Sequence, residues 1–353
     1  MGENRIFAQV VEDKIGEVMR YKLLGKSGLR VSELCLGTMT FGDDWGWGAP
    51  KDESRKMFDL FVEAGGNFID TANNYTNGTS EKYVGEFVKA ERDHFVIATK
   101  YSLTERKSDP NFGGNHRKNM RRSVEGSLQR LNMDHIDLLW LHMWDGMTPV
   151  EEVMRALDDL VSAGKILYTG ISDTPAWVVS QANMLADLRG WSRFVAYQGE
   201  YSLASRAPER DILPMTQALN MTFLPWGALE GGELTGKYNS KSDEPKRSKD
   251  ISERIKAIAS VLMEVAKEIN RTPSQVAVNW VRQRPYHMLP IIGARTEKQL
   301  KDNLGCLDFE LTAEQINRLE EANPIDLGFP HSFLGSDHVH GLIFGETFAQ
   351  IQR

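Results

Sequence analysis

Apolar positions fall into short runs that recur along the chain, each followed by a segment with helical spacing. The runs are ELCLGTM (33–39), NFIDT (67–71), FVIAT (95–99), IDLLWLH (136–142), ILYTGIS (166–172), FVAYQ (194–198), MTFLPW (221–226) and MLPIIG (288–293). They are near-continuous rather than alternating, the pattern of parallel strands covered on the outside by helices. After the fourth run, Val150, Val153, Met154, Leu157, Leu160 and Val161 step by three and four and make one helical face, and Gly164 marks its stop. Segments 53–64, 80–90, 116–131, 175–189, 208–219 and 251–270 have the same character. Eight strand–helix steps over about 300 residues predict an α/β fold, a closed (β/α)8 TIM barrel. A doubly wound sheet would want G-x-G-x-x-G after its first strand, where this chain has GTMTFG (37–42).

The opening YKLLGKSGLRVS (21–32) reads as a β-hairpin turning near Ser27-Gly28, placed under the barrel. The expected organisation is an N-terminal appendage over 1–20, the barrel over 21–323 and a C-terminal tail over 324–353. The polar run NSKSDEPKRSKD (239–250) reads as a long loop, a feature often functional inside a compact domain.

Composition narrows the function. A net charge of −7 argues against a nucleic-acid surface. No apolar run reaches the ~20 residues of a membrane helix, and the acidic N-terminus makes a poor signal peptide, so a cytoplasmic address is expected. Cys35 and Cys306 lie far apart and read as reduced, buried thiols. The histidines, His338 and His340 included, form no ligand set, so no catalytic metal is expected.

Chemistry in such barrels sits at the C-terminal strand ends. Asp70 closes NFID, Lys100 closes FVIATK, His142 closes LLWLH, and Tyr75 follows Asp70 in the next loop. Singly, each has a bland explanation: a turn cap, a solvated lysine, a structural histidine. Together they bring four ionisable groups from three adjacent strands to one barrel end.

Those stretches, with GTMTFG, GKILYTGISD, QGEYSL, LTGKY and IIGARTEKQLKDNL, make the chain resemble the aldo-keto reductase superfamily over residues 21–323. The nearest likeness is to its microbial and fungal aryl-alcohol-dehydrogenase-like branch. The resemblance implies a catalytic tetrad of Asp70, Tyr75, Lys100 and His142. Tyr75 would be the general acid in reduction, Lys100 would lower its pKa, Asp70 would hold the ammonium, and His142 would orient the carbonyl.

It also implies NADPH lying across the barrel mouth. The expected contacts start at Gly37, Thr38, Met39 and Asp70. Ser172, Asp173 and Gln198 would meet the carboxamide, with Asp173 departing from the Asn common in the family. Trp226 would stack on the nicotinamide. Gly227, Ala228, Leu229, Glu230, Gly232 and Lys237 would line the pyrophosphate. Gly231, Gly236 and Lys237 also match G-x-x-x-x-G-K, but Tyr238 replaces the magnesium-binding hydroxyl, so a nucleotide hydrolase is rejected. Glu230 is an awkward acid on that path. Beyond Gly293, Arg295 would pair with a 2′-phosphate, and Gln299 and Asn303 would hold adenine.

Trp45, Trp47, Tyr101, Phe112 and Trp144 crowd the candidate loops and suit an aromatic or otherwise apolar carbonyl substrate. The sequence does not fix the oligomeric state. Two rival readings stay open. One is a nicotinamide-binding sensor like the related potassium-channel β subunits. The other is an aldolase-type barrel with Lys100 as a Schiff-base lysine.

Overall fold

The computed structural model describes residues 19–239 and 251–351. The N-terminal appendage, apart from its last two residues, and nearly all of the 239–250 loop lie outside the described residues.

The strand runs form one eight-stranded parallel sheet whose neighbours follow sequence order, with the last strand beside the first. They are β3 (Cys35–Gly37), β4 (Phe68–Asp70), β5 (Val96–Tyr101), β6 (Ile136–Leu141), β7 (Ile166–Ser172), β8 (Phe194–Glu200), β9 (Thr222–Trp226) and β10 (Ile291–Ile292). A parallel bridge between Phe223 and Met288 carries the ladder from β9 toward β10 and nearly closes the ring. The (β/α)8 expectation thus holds, with the first and last strands shorter than their apolar runs.

The hairpin pairs β1 (Tyr21–Leu23) with β2 (Arg30–Ser32), and Ser27 braces its turn by donating to Leu24 O at 2.7 Å. It plugs the barrel floor, where Leu24 and Val31 join Phe68, Val96, Leu138 and Leu224 in an inner core. Gly25 permits this docking: its φ is +52°, and a Cβ there would lie 2.0 Å from Val195 O.

Alternation along each strand decides what faces the interior. Phe68, Val96, Ala98, Leu138 and Trp140 fill the inner core, while Ile69, Ile97, Tyr101, Leu139 and Leu141 pack outward against helices. The same parity sends Asp70, Lys100 and His142 inward, one step above that plug. Trp140 forms their floor, over a bare backbone at Gly170 whose Cβ would sit 2.3 Å from the indole.

The expected helices appear as Lys51–Glu63, Thr79–Val88, Arg117–Leu131, Val150–Ser162, Ala176–Arg189 and Glu253–Glu268. The 208–219 segment shrinks to Ile212–Ala218, behind a short 3-10 turn. Pro273–Arg282 and Ala313–Glu321, which the apolar pattern did not single out, are both opened by capping boxes, Thr272 with Gln275 and Thr312 with Gln315. The tail folds locally into His331–Leu334 and Asp337–Phe344. No helix among the described residues is long and apolar enough to cross a membrane.

Glu33 ties the hairpin to the barrel. Its carboxylate accepts from Arg20 N at 2.9 Å and from Arg282 Nη2 at 2.9 Å. Burial pushes its pKa up, but the Arg20 hydrogen bonds and the Arg282 charge hold it down at about 2. A depressed carboxylate contributes stability above its unfolded pKa and loses it as pH falls through the folded one. Glu33→Gln is therefore expected to cost about 3 kcal/mol at pH 7. The gap to the parent should narrow as pH drops from about 4.5 toward 2. Urea melts across that range check this; a gap independent of pH would contradict it.

Candidate active site

Lys100 is fully buried and its ammonium has three hydrogen-bond acceptors. It donates to Asp70 Oδ2, to Thr71 O at 2.8 Å and to Tyr75 Oη at 3.0 Å. Burial pulls its pKa down, but the Asp70 carboxylate and the Tyr75 oxygen outweigh that and raise it. All three N–H donors are used, so the group is held as an ammonium.

The other oxygen of Asp70 accepts from Gln198 Nε2 at 3.0 Å, so Gln198 helps fix the carboxylate. Thr38 anchors the same strand end, its N–H and its Oγ each donating to Asp70 O at 2.9 Å. Gly37 pairs with Asp70 in register, and Ile291 Cγ2 lies 2.7 Å from where its Cβ would be. Met39 follows at the rim, half-buried.

Tyr75 heads a turn in which Thr76, Asn77 and Gly78 all have positive φ, of 45°, 56° and 88°. The bend is braced by Thr76 Oγ, which donates to Phe41 O at 2.6 Å and accepts from Ser80 N at 3.1 Å. It turns the phenol back over Lys100. Burial pushes that phenol's pKa above the ordinary tyrosine value; the Lys100 charge and hydrogen bond pull it down without overcoming burial, and Asp70 adds to the rise. This corrects the expectation of a lowered pKa. Lys100 acts in the expected sense, but the net direction is upward, so the phenol is kept protonated at neutral pH.

His142 stands 6.0 Å from Tyr75, ring to ring and edge-on. Burial, then the Lys100 charge, holds its pKa well below the usual histidine range, so the imidazole is neutral. Its Nδ1 is buried without a partner. In the tautomer with the proton on Nε2, the ring can donate a hydrogen bond to a carbonyl oxygen. Position is supplied by two loops clasped together. His142 N donates to Tyr101 O at 2.9 Å, Met143 N to Ser102 Oγ at 3.1 Å, and Asn115 and Asp145 exchange bonds of 2.7 Å in both directions.

Around the remaining rim, Ser172 is 1% exposed and its Oγ has no hydrogen-bond partner. Asp173 Oδ1 accepts from Trp226 Nε1 at 3.3 Å. The 227–236 segment winds through positive φ at Gly227, Glu230, Gly231, Gly232 and Gly236. Lys237 folds over it, its Nζ 3.0 Å from where a Gly232 Cβ would be. Ala228 is buried and Leu229 half-buried in this turn. Glu230 is turned aside, accepting from Ser202 Oγ. On the far side Thr296 caps Glu297–Leu304, Gln299 Oε1 accepts from Arg295 N at 3.0 Å, and Asn303 Nδ2 donates to Gly293 O at 3.2 Å. Arg295 is half-exposed and has no ion pair among the described residues.

The aromatic candidates divide. Trp45 packs edge-on to Tyr75 at 6.5 Å and against Trp47 at 5.6 Å, bordering the phenol. Trp144 is half-buried beside the His142 strand end. Tyr101 is different: strand parity turns it away from its neighbour Lys100 into the outer core, its hydroxyl donating to Asn115 O at 3.3 Å. Phe112 is clamped between the guanidinium groups of Arg106 and Arg122, at 4.1 and 4.0 Å, and serves to fold its own loop.

The apolar pattern also missed a supporting pair. Glu81 is fully buried, accepting from Thr99 Oγ at 2.6 Å and from Arg130 Nε at 2.5 Å. It braces the residue beside Lys100. Helical spacing alone makes Glu81 a solvated charge, and only the fold reveals its partners. Among the described residues no group of three or more His, Cys, Asp or Glu side chains is arranged to hold a metal.

The mouth of a parallel barrel thus gathers a phenol, a buried Asp–Lys pair and a neutral imidazole, and the family match identifies such a barrel as an oxidoreductase. The chain belongs to the aldo/keto reductase family, whose model matches residues 33–324. It falls in the fungal aryl-alcohol-dehydrogenase-like branch. It is 42% identical to norsolorinic acid reductase of Aspergillus flavus over 322 residues, 88% of this chain and 83% of that one. It is 38% identical over 345 residues to the NADP(+) aryl-alcohol dehydrogenase of Phanerodontia chrysosporium, covering 90% and 89%.

Proposed function

We propose that this chain is an NADPH-dependent reductase of apolar, chiefly aromatic, aldehydes and ketones. The carrying observation is the Lys100 ammonium joined at once to Asp70, Thr71 and Tyr75. Carbonyl reduction needs a proton on oxygen. The Tyr75 phenol is protonated at rest, and the adjacent ammonium stabilises the phenolate that forms as the proton leaves. His142 Nε2–H donates to the same carbonyl oxygen and orients it. The apolar edges of Trp45, Trp47 and Trp144 favour an apolar substrate.

The residues fit a nicotinamide dinucleotide. The buried Ser172 hydroxyl lies beside Asp173 at the rim, and the glycine-rich 227–236 turn offers open backbone for a pyrophosphate. Gln198 presents its free amide oxygen beside Asp70, and Trp226 supplies a flat apolar face. The cofactor supplies the hydride; this chain supplies its seat and the proton. The NADP(+) named in the Phanerodontia relative supports the phosphorylated form.

Arg295 is the residue assigned to the 2′-phosphate. Arg295→Ala should weaken NADPH binding by about 1.5–3 kcal/mol while leaving NADH nearly unchanged. Fluorescence titration of both cofactors measures this, and equal losses would remove Arg295 from the role.

A Schiff-base lysine must be a neutral amine with a free lone pair. Lys100, with its raised pKa and three acceptors, is the opposite. The sensor reading differs only in lacking turnover. A spectrophotometric screen of NADPH oxidation against aromatic and aliphatic carbonyls decides it. Turnover of aromatic aldehydes is expected; tight NADPH binding with no turnover across the panel would favour the sensor.

A further inference from the structure

β7 ends in Ser172-Asp173, and the acid is poorly compensated for its surroundings. Asp173 is half-buried and has no ion pair among the described residues. Its Oδ1 accepts from Trp226 Nε1 at 3.3 Å. Burial pushes its pKa up against the pull of Trp226, Ser172 and Lys100. Glu200 stands close by, its own pKa raised by burial and then by Glu230 and Asp173. Burial without an ion pair means that the carboxylate of Asp173 carries a cost.

An asparagine would avoid that cost. Its side-chain oxygen could accept the same Trp226 bond. It would also tolerate the left-handed backbone, φ +42° at Asp173, as well as aspartate does. What the carboxylate adds is charge, next to the buried Ser172 hydroxyl and the Trp226 ring.

We propose that Asp173 biases the site toward the oxidised cofactor, stabilising the pyridinium cation of NADP+ while doing nothing comparable for the neutral ring of NADPH. The inference rests on the cofactor reading above, in which Ser172 and Trp226 receive the nicotinamide. A cation near a half-buried carboxylate gains Coulomb energy that water would otherwise screen. The coupling is reciprocal: a bound pyridinium favours the ionised form of Asp173 as much as the carboxylate favours the pyridinium. The site then retains its oxidised product and draws hydride transfer between bound cofactor and substrate toward carbonyl reduction.

Dissociation constants for NADPH and NADP+ by tryptophan-fluorescence titration, in the parent protein and in Asp173→Asn, test this. Asp173→Gly provides a second variant, since glycine also suits positive φ. The ratio Kd(NADP+)/Kd(NADPH) should rise on the order of tenfold in both variants, mainly through weaker NADP+ binding. An unchanged ratio, with both cofactors still bound, would overturn the role of Asp173 and leave the cofactor reading standing. A parent protein that binds neither cofactor would overturn both.

Discussion

Replacing Tyr75 with phenylalanine should abolish nearly all carbonyl reduction while leaving cofactor binding intact. The substitution keeps the ring, its edge contact with Trp45 and the braced turn, and deletes only the hydroxyl 3.0 Å from Lys100 Nζ. General acid catalysis is worth about 10²–10⁴-fold, and turnover should fall by at least that factor. NADPH affinity should barely move, because the phenol is assigned to the carbonyl oxygen. The paired measurement is steady-state reduction of an aromatic aldehyde and NADPH titration on one preparation. Near-normal turnover would transfer the proton donation to another group, His142 being next in line.

Lys100→Met should lose activity to a similar degree and also destabilise the protein. The parent ion pair is buried on both sides, with Lys100 side-chain exposure of 0% and Asp70 of 3%. Removing the ammonium strands the Asp70 carboxylate with only its Gln198 bond, and breaking a buried pair from one side typically costs about 3–5 kcal/mol. The double variant Lys100→Met/Asp70→Asn removes both charges and should recover much of that stability. It should recover no turnover, because nothing then stabilises the phenolate. Denaturant melts and assays of both variants separate the two roles. A single variant as stable as the parent would contradict the buried-pair account, and restored activity in the double variant would contradict the electrostatic one.

Much of this site was legible in the sequence because strand parity and strand ends are local properties. Asp70, Lys100 and His142 each close an apolar run, and the alternation that buries Phe68, Val96 and Leu138 turns them inward. The same parity should have excluded Tyr101, whose neighbour Lys100 already claims the inner face; residue type outweighed position in that assignment. The packing of Phe112 was out of reach for another reason. Its two arginine clamps come from Arg106 in its own loop and Arg122 on the next helix, and no spacing rule links them. Glu81, Asp145 and Ser102 were invisible because their work is to connect loops far apart in sequence. The upward net direction of the Tyr75 pKa was also out of reach. Its sign depends on how completely the phenol is buried, and burial is set by the Trp45 loop and the barrel together.

The fold had a similar limit. Near-continuous apolar runs located all eight barrel strands, yet β3 and β10 shrank to three and two residues. Their outer residues instead bend into loops that form the rim, where Thr38 turns back onto Asp70. The late helices were marked by Thr-x-x-Gln capping boxes rather than by long apolar faces, a signal carried by polar residues.

The central claim is that this barrel delivers a hydride and a proton to one carbonyl group. Its most direct test is transfer of label from NADPH carrying deuterium at both C4 positions of the nicotinamide. Incubated with the protein and an aromatic aldehyde, the labelled cofactor should yield alcohol carrying one deuterium on the former carbonyl carbon, seen by mass spectrometry. Alcohol without label, or no alcohol while the cofactor remains bound, would contradict the account.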